Sequence, residues 1–402
     1  MEAMDIQAVE SKLSDVTVTA IPMSGKTHKD LSHSSAHTTI SSVPAPSVGK
    51  DKDGMSKYAQ AMESDWTTKW SWGTTFSADS VEWCPVDGYT DILVCGTYQL
   101  EENNQEKPQT RLGRIYLFII KETSKSEPIQ TINTHGILDQ KWCQHKINDQ
   151  PILATVTSVG TLQLYQLIRN ETSLCLNLWM EEAIGQNLLA LSLDWSTNKL
   201  ISNTPCLLVS DSSGAVTLFS LDCAKLSKIG TWKAHGFEAW ITAFNYWNTN
   251  IFYTGGDDSL LKSFDSRMSE MSVGTNKSHE AGVTSIRCHT EIENQLITGS
   301  YDEKIRLFDT RNLKRSVTEV DVGGGVWRLK WHPYNTDIIL AACMYGGFRT
   351  VKLTGQEFTV IREYLEHDSI AYGADWAVKP GRSVVATCSF YDCKLNISEV
   401  TF

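Results

Sequence analysis

Tyr253-Thr-Gly-Gly-Asp-Asp-Ser-Leu-Leu-Lys-Ser-Phe-Asp265 recurs as a near copy, Ile297-Thr-Gly-Ser-Tyr-Asp-Glu-Lys-Ile-Arg-Leu-Phe-Asp309. Each copy reads as a short strand, a turn rich in Gly and Asp, a second strand and a closing Asp. Side chains alternate along such strands, so every unit has two sheet faces to cover. A unit this small covers them only against its neighbours. The repeat thus predicts an array of β-units and sets the fold class before any single residue is weighed.

Outward from this pair, an apolar-x-aromatic beat marks the first strand of each unit. It appears as Val81-Glu-Trp83, at Trp142, as Leu193-Asp-Trp195, Phe244-Asn-Tyr246, Ile286-Arg-Cys288, Leu329-Lys-Trp331 and Ala374-Asp-Trp376. Successive beats lie 59, 53, 51, 42, 43 and 45 residues apart. The last three intervals match the roughly 40–45-residue period of WD-type propeller blades. The first three leave room for loop insertions such as Glu101 to Pro108. Seven beats predict an all-β chain, a seven-bladed WD-repeat β-propeller over residues 65–402. A His before the first strand and an Asp in the second turn, the pairs His235/Asp258, His279/Asp302 and His367/Asp392, are expected to fasten blades four, five and seven. Phe264 and Phe308 stand where such repeats usually carry a Trp, so that network is expected to lack its last donor. Trp66 to Thr75 can supply the outer strand of the last blade and so leave no open edge.

Composition narrows the classes of function. The 402 residues are 41% hydrophobic and 21% charged, enough for a large core, and the net charge of -11 argues against direct nucleic-acid binding. Ten cysteines are scattered, mostly in apolar runs and without a CxxC pair, which predicts free thiols in a reducing, cytoplasmic setting. No run reaches the ~18 apolar residues of a membrane span, and the first residues lack the features of a signal peptide. No metal or other cofactor is expected, and a closed propeller is expected to be monomeric. Residues 1–64 differ in kind: His28 to Lys50 is Ser, Thr, His, Pro and Lys with almost nothing large and apolar. They read as a disordered N-terminal extension, dispensable or used for docking or regulation.

A repeat specifies a scaffold, so its interruptions are where function is sought. Blade six lacks both hallmark residues and reads Gly323-Gly-Gly-Val-Trp-Arg328, three glycines that permit close backbone approach. Blade four has two extra residues after its His, in His235-Gly-Phe-Glu-Ala-Trp-Ile241, which should lift Phe237, Glu238 and Trp240 onto one face. Blade seven carries Tyr372 at the matching place.

Together with Ser80-Val-Glu-Trp-Cys-Pro85, Cys95-Gly-Thr-Tyr98, Leu191-Ser-Leu-Asp-Trp195, Gly299-Ser-Tyr-Asp-Glu303 and Tyr372-Gly-Ala-Asp-Trp376, these segments resemble the WD-repeat diphthine methyl ester hydrolases of diphthamide biosynthesis. The resemblance runs from about Ala78 to Trp376. It implies a carboxylic ester hydrolase acting on elongation factor 2, removing a methyl ester from a modified histidine that bears a quaternary ammonium. The residues alone would not name an esterase: GxSxG, HExxH and clustered metal ligands are all missing. A fixed cation without hydrogen-bond donors is best held by aromatic faces, and Trp240, Trp327 and Tyr372 are placed for such a cage, with Asp257 beside them. Glu238 is the expected general base or anionic partner of the ammonium, and Arg328 the expected oxyanion or carboxylate partner. His235 is an alternative base, although its match to His279 favours blade fastening. Cys343 is an alternative nucleophile, although its apolar surroundings favour a core thiol. A non-catalytic WD-repeat scaffold for protein partners is the competing reading.

Overall fold

The structure, a computed structural model, describes residues 65–402 apart from 102–110, 122–125, 172, 223–224 and 269–270. The expected extension over 1–64 lies outside the described residues. Seven four-stranded antiparallel sheets form the chain from Trp66 to Val400. Their inner strands are Ser77–Trp83, Ile137–Trp142, Ala190–Trp195, Ile241–Phe244, Val283–Cys288, Arg328–Trp331 and Ala371–Trp376. Six end on the closing residue of a beat, as the spacing predicts; the blade-four strand ends at Phe244, two residues before Tyr246, and it is the Phe244 amide that Asp194 holds as Asp375 holds that of Trp83. Six blades are four consecutive strands. The seventh is built from both ends of the described chain: Trp66–Gly73 pairs antiparallel with Lys394–Val400, Trp66 opposite Val400 and Gly73 opposite Lys394.

The beat itself is an inter-blade latch. The indole of Trp142 donates to the Glu82 carbonyl (3.3 Å), Trp195 to Lys141 (3.0 Å) and Trp376 to Lys330 (3.2 Å), each on the preceding blade. The carboxylates one residue before Trp195 and Trp376 reach the other way. Asp194 accepts the Phe244 amide at 2.9 Å, and Asp375 accepts the Trp83 amide at 2.8 Å, across the closing junction. These contacts satisfy polar groups that the apolar inter-blade layers would otherwise strand, and so fix the register of one blade on the next.

The fastening pairs turn out in three ways. His235 holds Asp258 at 2.8 Å and gives its other nitrogen to Thr254 at 2.7 Å. His367 reaches Asp392 only through the Ser389 hydroxyl, because Asp392 lies one residue further along its turn. His279 does not bind Asp302. The fully buried guanidinium of Arg306 takes both Asp302 oxygens at 3.0 and 2.7 Å, and a charged donor outcompetes a neutral imidazole. The donor expected to be missing is replaced from within the second strand, where Thr254, Thr298 and Thr387 each meet a His nitrogen.

Burial pushes His279, His332 and His367 down from 6.5 to about 4. A depressed histidine contributes stability that is complete above pH 6.5 and is lost as pH falls through 4, by at most about 1.4 kcal/mol per pH unit each. Glu82, raised by burial against the pull of Lys330 to about 7, has the opposite sign: its contribution is complete below 4.5 and is lost as pH rises through 7. Burial also lowers His289 and raises Asp79 and Asp194, so four depressed histidines oppose three raised carboxyls, and the histidines prevail between pH 6.5 and 4.5. The thermal midpoint is therefore expected to fall steadily on acidification across that window. Replacing His367 by Gln should flatten the profile, measured by calorimetry at several pH values.

Candidate functional site: an aromatic corner flanked by carboxylates

The segments before the inner strands and the turns between second and third strands meet on one face of the propeller. Five consecutive blades, counted through the closure, place aromatic rings there. Trp240 and Trp327 precede the inner strands of blades four and six, and Tyr372 begins that of blade seven. Tyr301, Phe390 and Tyr98 occupy the turn position that Asp257 holds in blade four. The rings form one chain of contacts. Trp240, Tyr301 and Trp327 are mutual neighbours with centroids 5.9, 6.1 and 6.2 Å apart. Tyr301 and Trp327 lie within 26° of parallel, and Trp240 stands at 83° and 63° to them, so the three make a corner. A cation about 4 Å above a triangle of that size falls within the roughly 6 Å reach of cation–π attraction.

Tyr372 is not a wall of this corner. Its ring is buried, stacked on Trp327 at 4.9 Å and capped by Phe390 at 5.1 Å, so it supports Trp327 from behind. The third wall is Tyr301, which the sequence reading missed. The signal was present in the opening pair of repeats: Tyr301 replaces Asp257 at the same position, an aromatic where the copy has an acid.

Carboxylates flank the rings. Asp257 accepts the Trp240 indole N–H at 3.1 Å, which sets that ring's orientation, and its own amide donates to the Glu238 carbonyl at 2.9 Å. The Glu238 side chain is half-buried and neighbouring Phe237 is exposed, but no insertion lifts them: Glu238 and Gly282, each three residues after its His, accept the equivalent turn amides of Asp257 and Tyr301, so the loops of blades four and five are equally long. Burial, then the charges of Asp257 and Glu238, push the Tyr301 phenol well above its usual range. The corner is thus aromatic on three sides and anionic at its edge.

The glycines of blade six bring the backbone close enough to seat Trp327. Gly323 has φ +71°, and a Cβ on Gly324 would lie 2.1 Å from the Cys343 carbonyl oxygen, where no flexible side chain can yield. Met344 and Tyr301 sit against Gly325. Cys343 is buried and pushed up to about 12 by that burial, which makes it a poor thiolate nucleophile.

Arg328 points away from this corner. Its guanidinium lies in the propeller axis, 3.3 Å from Asp139 of blade two, beside buried Asp79. The sequence reading set Arg328 beside an ester; the geometry commits it to a carboxylate of its own chain. Further along the axis Lys330 bridges Glu82 and Asp375, and Arg287 faces Asp194. Glu82, Arg287, Lys330 and Asp375, together with Trp83, Trp142, Trp331 and Trp376, line a cavity of about 160 Å³ at the opposite mouth. Tyr345, His367, Asp368, Tyr391 and Asp392 line a groove of about 550 Å³, and Tyr391 packs on Phe390, which in turn packs on the Tyr372 ring behind Trp327. Among the described residues no cluster of three or more His, Cys, Asp and Glu is arranged to hold a metal ion.

Fold and site together define a WD-repeat propeller with an aromatic corner flanked by carboxylates. Residues 271–309 match the WD domain, G-beta repeat family, and residues 1–52 match the cyclin-dependent kinase 2-associated protein family. A chain in the crystal structure of a mitotic checkpoint complex shares the fold, with a TM-score of 0.65 at 16% identity over 90% of this chain and 99% of that one. Mouse diphthine methyltransferase is 41% identical over 324 residues, 76% of this chain and 68% of the relative. The human protein of that name is 40% identical, covering 76% and 73%, and a Dictyostelium discoideum homolog 36% identical, covering 80% and 96%. The chain belongs to this diphthine methyltransferase family of WD-repeat proteins of diphthamide biosynthesis.

Proposed function

We propose that this chain hydrolyses the methyl ester of the methylated diphthine intermediate on elongation factor 2, releasing diphthine and methanol in the cytoplasm. The observation that carries the reading is the corner of Trp240, Tyr301 and Trp327 with Asp257 and Glu238 at its edge. A trimethylammonium offers no hydrogen-bond donor. Aromatic faces and nearby negative charge are what attract it, at about 0.5–2 kcal/mol per ring. The groove beside the corner gives room for the polypeptide that carries the modified residue. Held by its ammonium, the substrate brings its ester to a water positioned by Glu238, which acts as general base.

The relatives' name denotes methyl transfer and favours a second reading, in which the same corner binds the same group while a methyl is added. The two readings differ in mass balance. Incubating the purified chain with methylated elongation factor 2 is expected to release methanol and remove the mass of one methylene unit. A gain of that mass in a parallel incubation supplied with a sulfonium methyl donor would establish transfer instead. No change with retained binding would leave the non-catalytic scaffold.

Removing one wall of the corner loses one ring's attraction. Trp240→Ala and Trp327→Ala are each expected to raise KM for the protein substrate about 2- to 30-fold. Unaltered KM in both variants would remove the cation-binding role of the corner.

A further inference from the structure

Two hydrogen-bond donors at the corner are unclaimed. Trp240 and Trp327 occupy equivalent places, yet their indoles are treated differently. Asp257 holds the N–H of Trp240, while the Nε1 of Trp327 is buried with no partner among the described residues. The indoles of Trp83 and Trp331 are also unpartnered, but they line the cavity at the opposite mouth. A buried donor left unpaired costs about 1–3 kcal/mol, so its retention calls for a reason. The second donor is the Tyr301 hydroxyl, on the ring facing Trp327 at 6.1 Å and likewise without a hydrogen-bond partner among the described residues. With Asp257 and Glu238 nearby, its phenol keeps its proton at neutral pH and is available to donate.

We propose that the Trp327 Nε1–H and the Tyr301 hydroxyl form the oxyanion site of the ester hydrolysis argued above, an assignment that rests on that reading. Glu238 takes a proton from water as the water oxygen bonds to the ester carbon. The carbonyl π pair moves onto its oxygen, which receives hydrogen bonds from the two donors. The carbonyl then re-forms and the bond to the methoxy oxygen breaks. Glu238 returns its proton to the departing methoxide, giving methanol, and the new carboxylic acid ionises. Donors aimed at an oxygen that becomes anionic only in the transition state act on kcat rather than on binding. The assignment also accounts for the unequal tryptophans. Asp257 locks Trp240 as a passive wall, and Trp327, stacked on Tyr372 and seated by its glycines, keeps its donor for the substrate.

Tyr301→Phe tests this directly, because it deletes the hydroxyl and keeps the ring. Its kcat for methanol release is expected to fall about 10²-fold with KM within about threefold of wild type. Trp327→Phe, which deletes the N–H and keeps an aromatic face, should do the same. Tyr301→Ala should raise KM as well. Wild-type kcat in both Phe variants, with melting midpoints unchanged, would overturn the oxyanion assignment and leave the hydrolase standing. No methanol from the wild-type chain in the same assay would overturn the hydrolase reading and this assignment with it.

Discussion

Glu238→Gln is expected to lower methanol release by about 10²- to 10⁴-fold while binding of the methylated protein stays within a few fold of wild type. Among the described residues two carboxylates border the Tyr301 ring closely enough to act on its phenol, Asp257 and Glu238. Asp257 is already engaged, because the Trp240 indole donates to it at 3.1 Å. Among the described residues the Glu238 carboxylate has no hydrogen-bond or ion-pair partner, so its lone pairs are open to a water. The amide of Gln keeps the volume and loses the basicity. Asp257→Asn is the companion measurement. An amide oxygen still accepts the Trp240 N–H, so only the charge near the ammonium is lost, and KM should rise several-fold with kcat retained. Opposite results in single-turnover assays, with Asp257→Asn losing chemistry and Glu238→Gln losing binding, would exchange the two roles.

Local sequence made the scaffold legible because each blade repeats the same solution to the same problem. The beat exists since inner strands latch their neighbours, and a Trp that donates backwards, as at Trp142, Trp195 and Trp376, with an Asp that accepts forwards, as at Asp194 and Asp375, leaves a visible trace. The closing strand was legible for the same reason: a last blade one strand short needs an apolar, aromatic segment from elsewhere. The site was legible where an aromatic residue or a run of glycines breaks the repeat ahead of an inner strand, at Trp240 and Trp327, although the insertion expected before Trp240 is not there. Tyr301 escaped because it replaces a residue within an otherwise regular turn, with no change of length to mark it. Arg328 was misplaced for a different reason. It follows Trp327 directly, but successive residues of a strand point to opposite sides, so a side chain next to the corner in sequence lies in the axis in space. The partner that claims it, Asp139, comes from four blades earlier. No spacing within a repeat reports a contact across the axis. The pairing of His279 with Asp302 failed likewise, through a buried arginine on the following strand whose charge outweighs the repeat's usual partner.

The largest structural effect is expected from the shortest deletion at the ring closure. A chain beginning at Thr75 lacks the strand Trp66–Gly73, and it should show no cooperative melt, whereas a chain beginning at Asp65 should melt close to the full-length protein. The strand completes the only sheet whose members come from both ends of the described chain. Trp66 and Trp70 are both buried within it. Trp66 donates to Ser398 at 2.7 Å and stacks on Tyr364 of blade six at 5.1 Å, and Trp70 packs against Phe118 of blade one at 5.6 Å. Losing a buried Trp costs about 3–5 kcal/mol, so two of them alone approach the 5–15 kcal/mol that holds an ordinary domain together. The deletion also bares the edge of Lys394–Val400 to other chains. Because every blade in a closed ring is held from both sides, the loss reaches blade one and blade six at once. Trp66→Ala and Trp70→Ala measure the same closure more gently: each should lower the unfolding free energy by about 3–5 kcal/mol in denaturant titrations. A chain beginning at Thr75 that melts as sharply as one beginning at Asp65 would mean that the ring is held by its inter-blade latches alone.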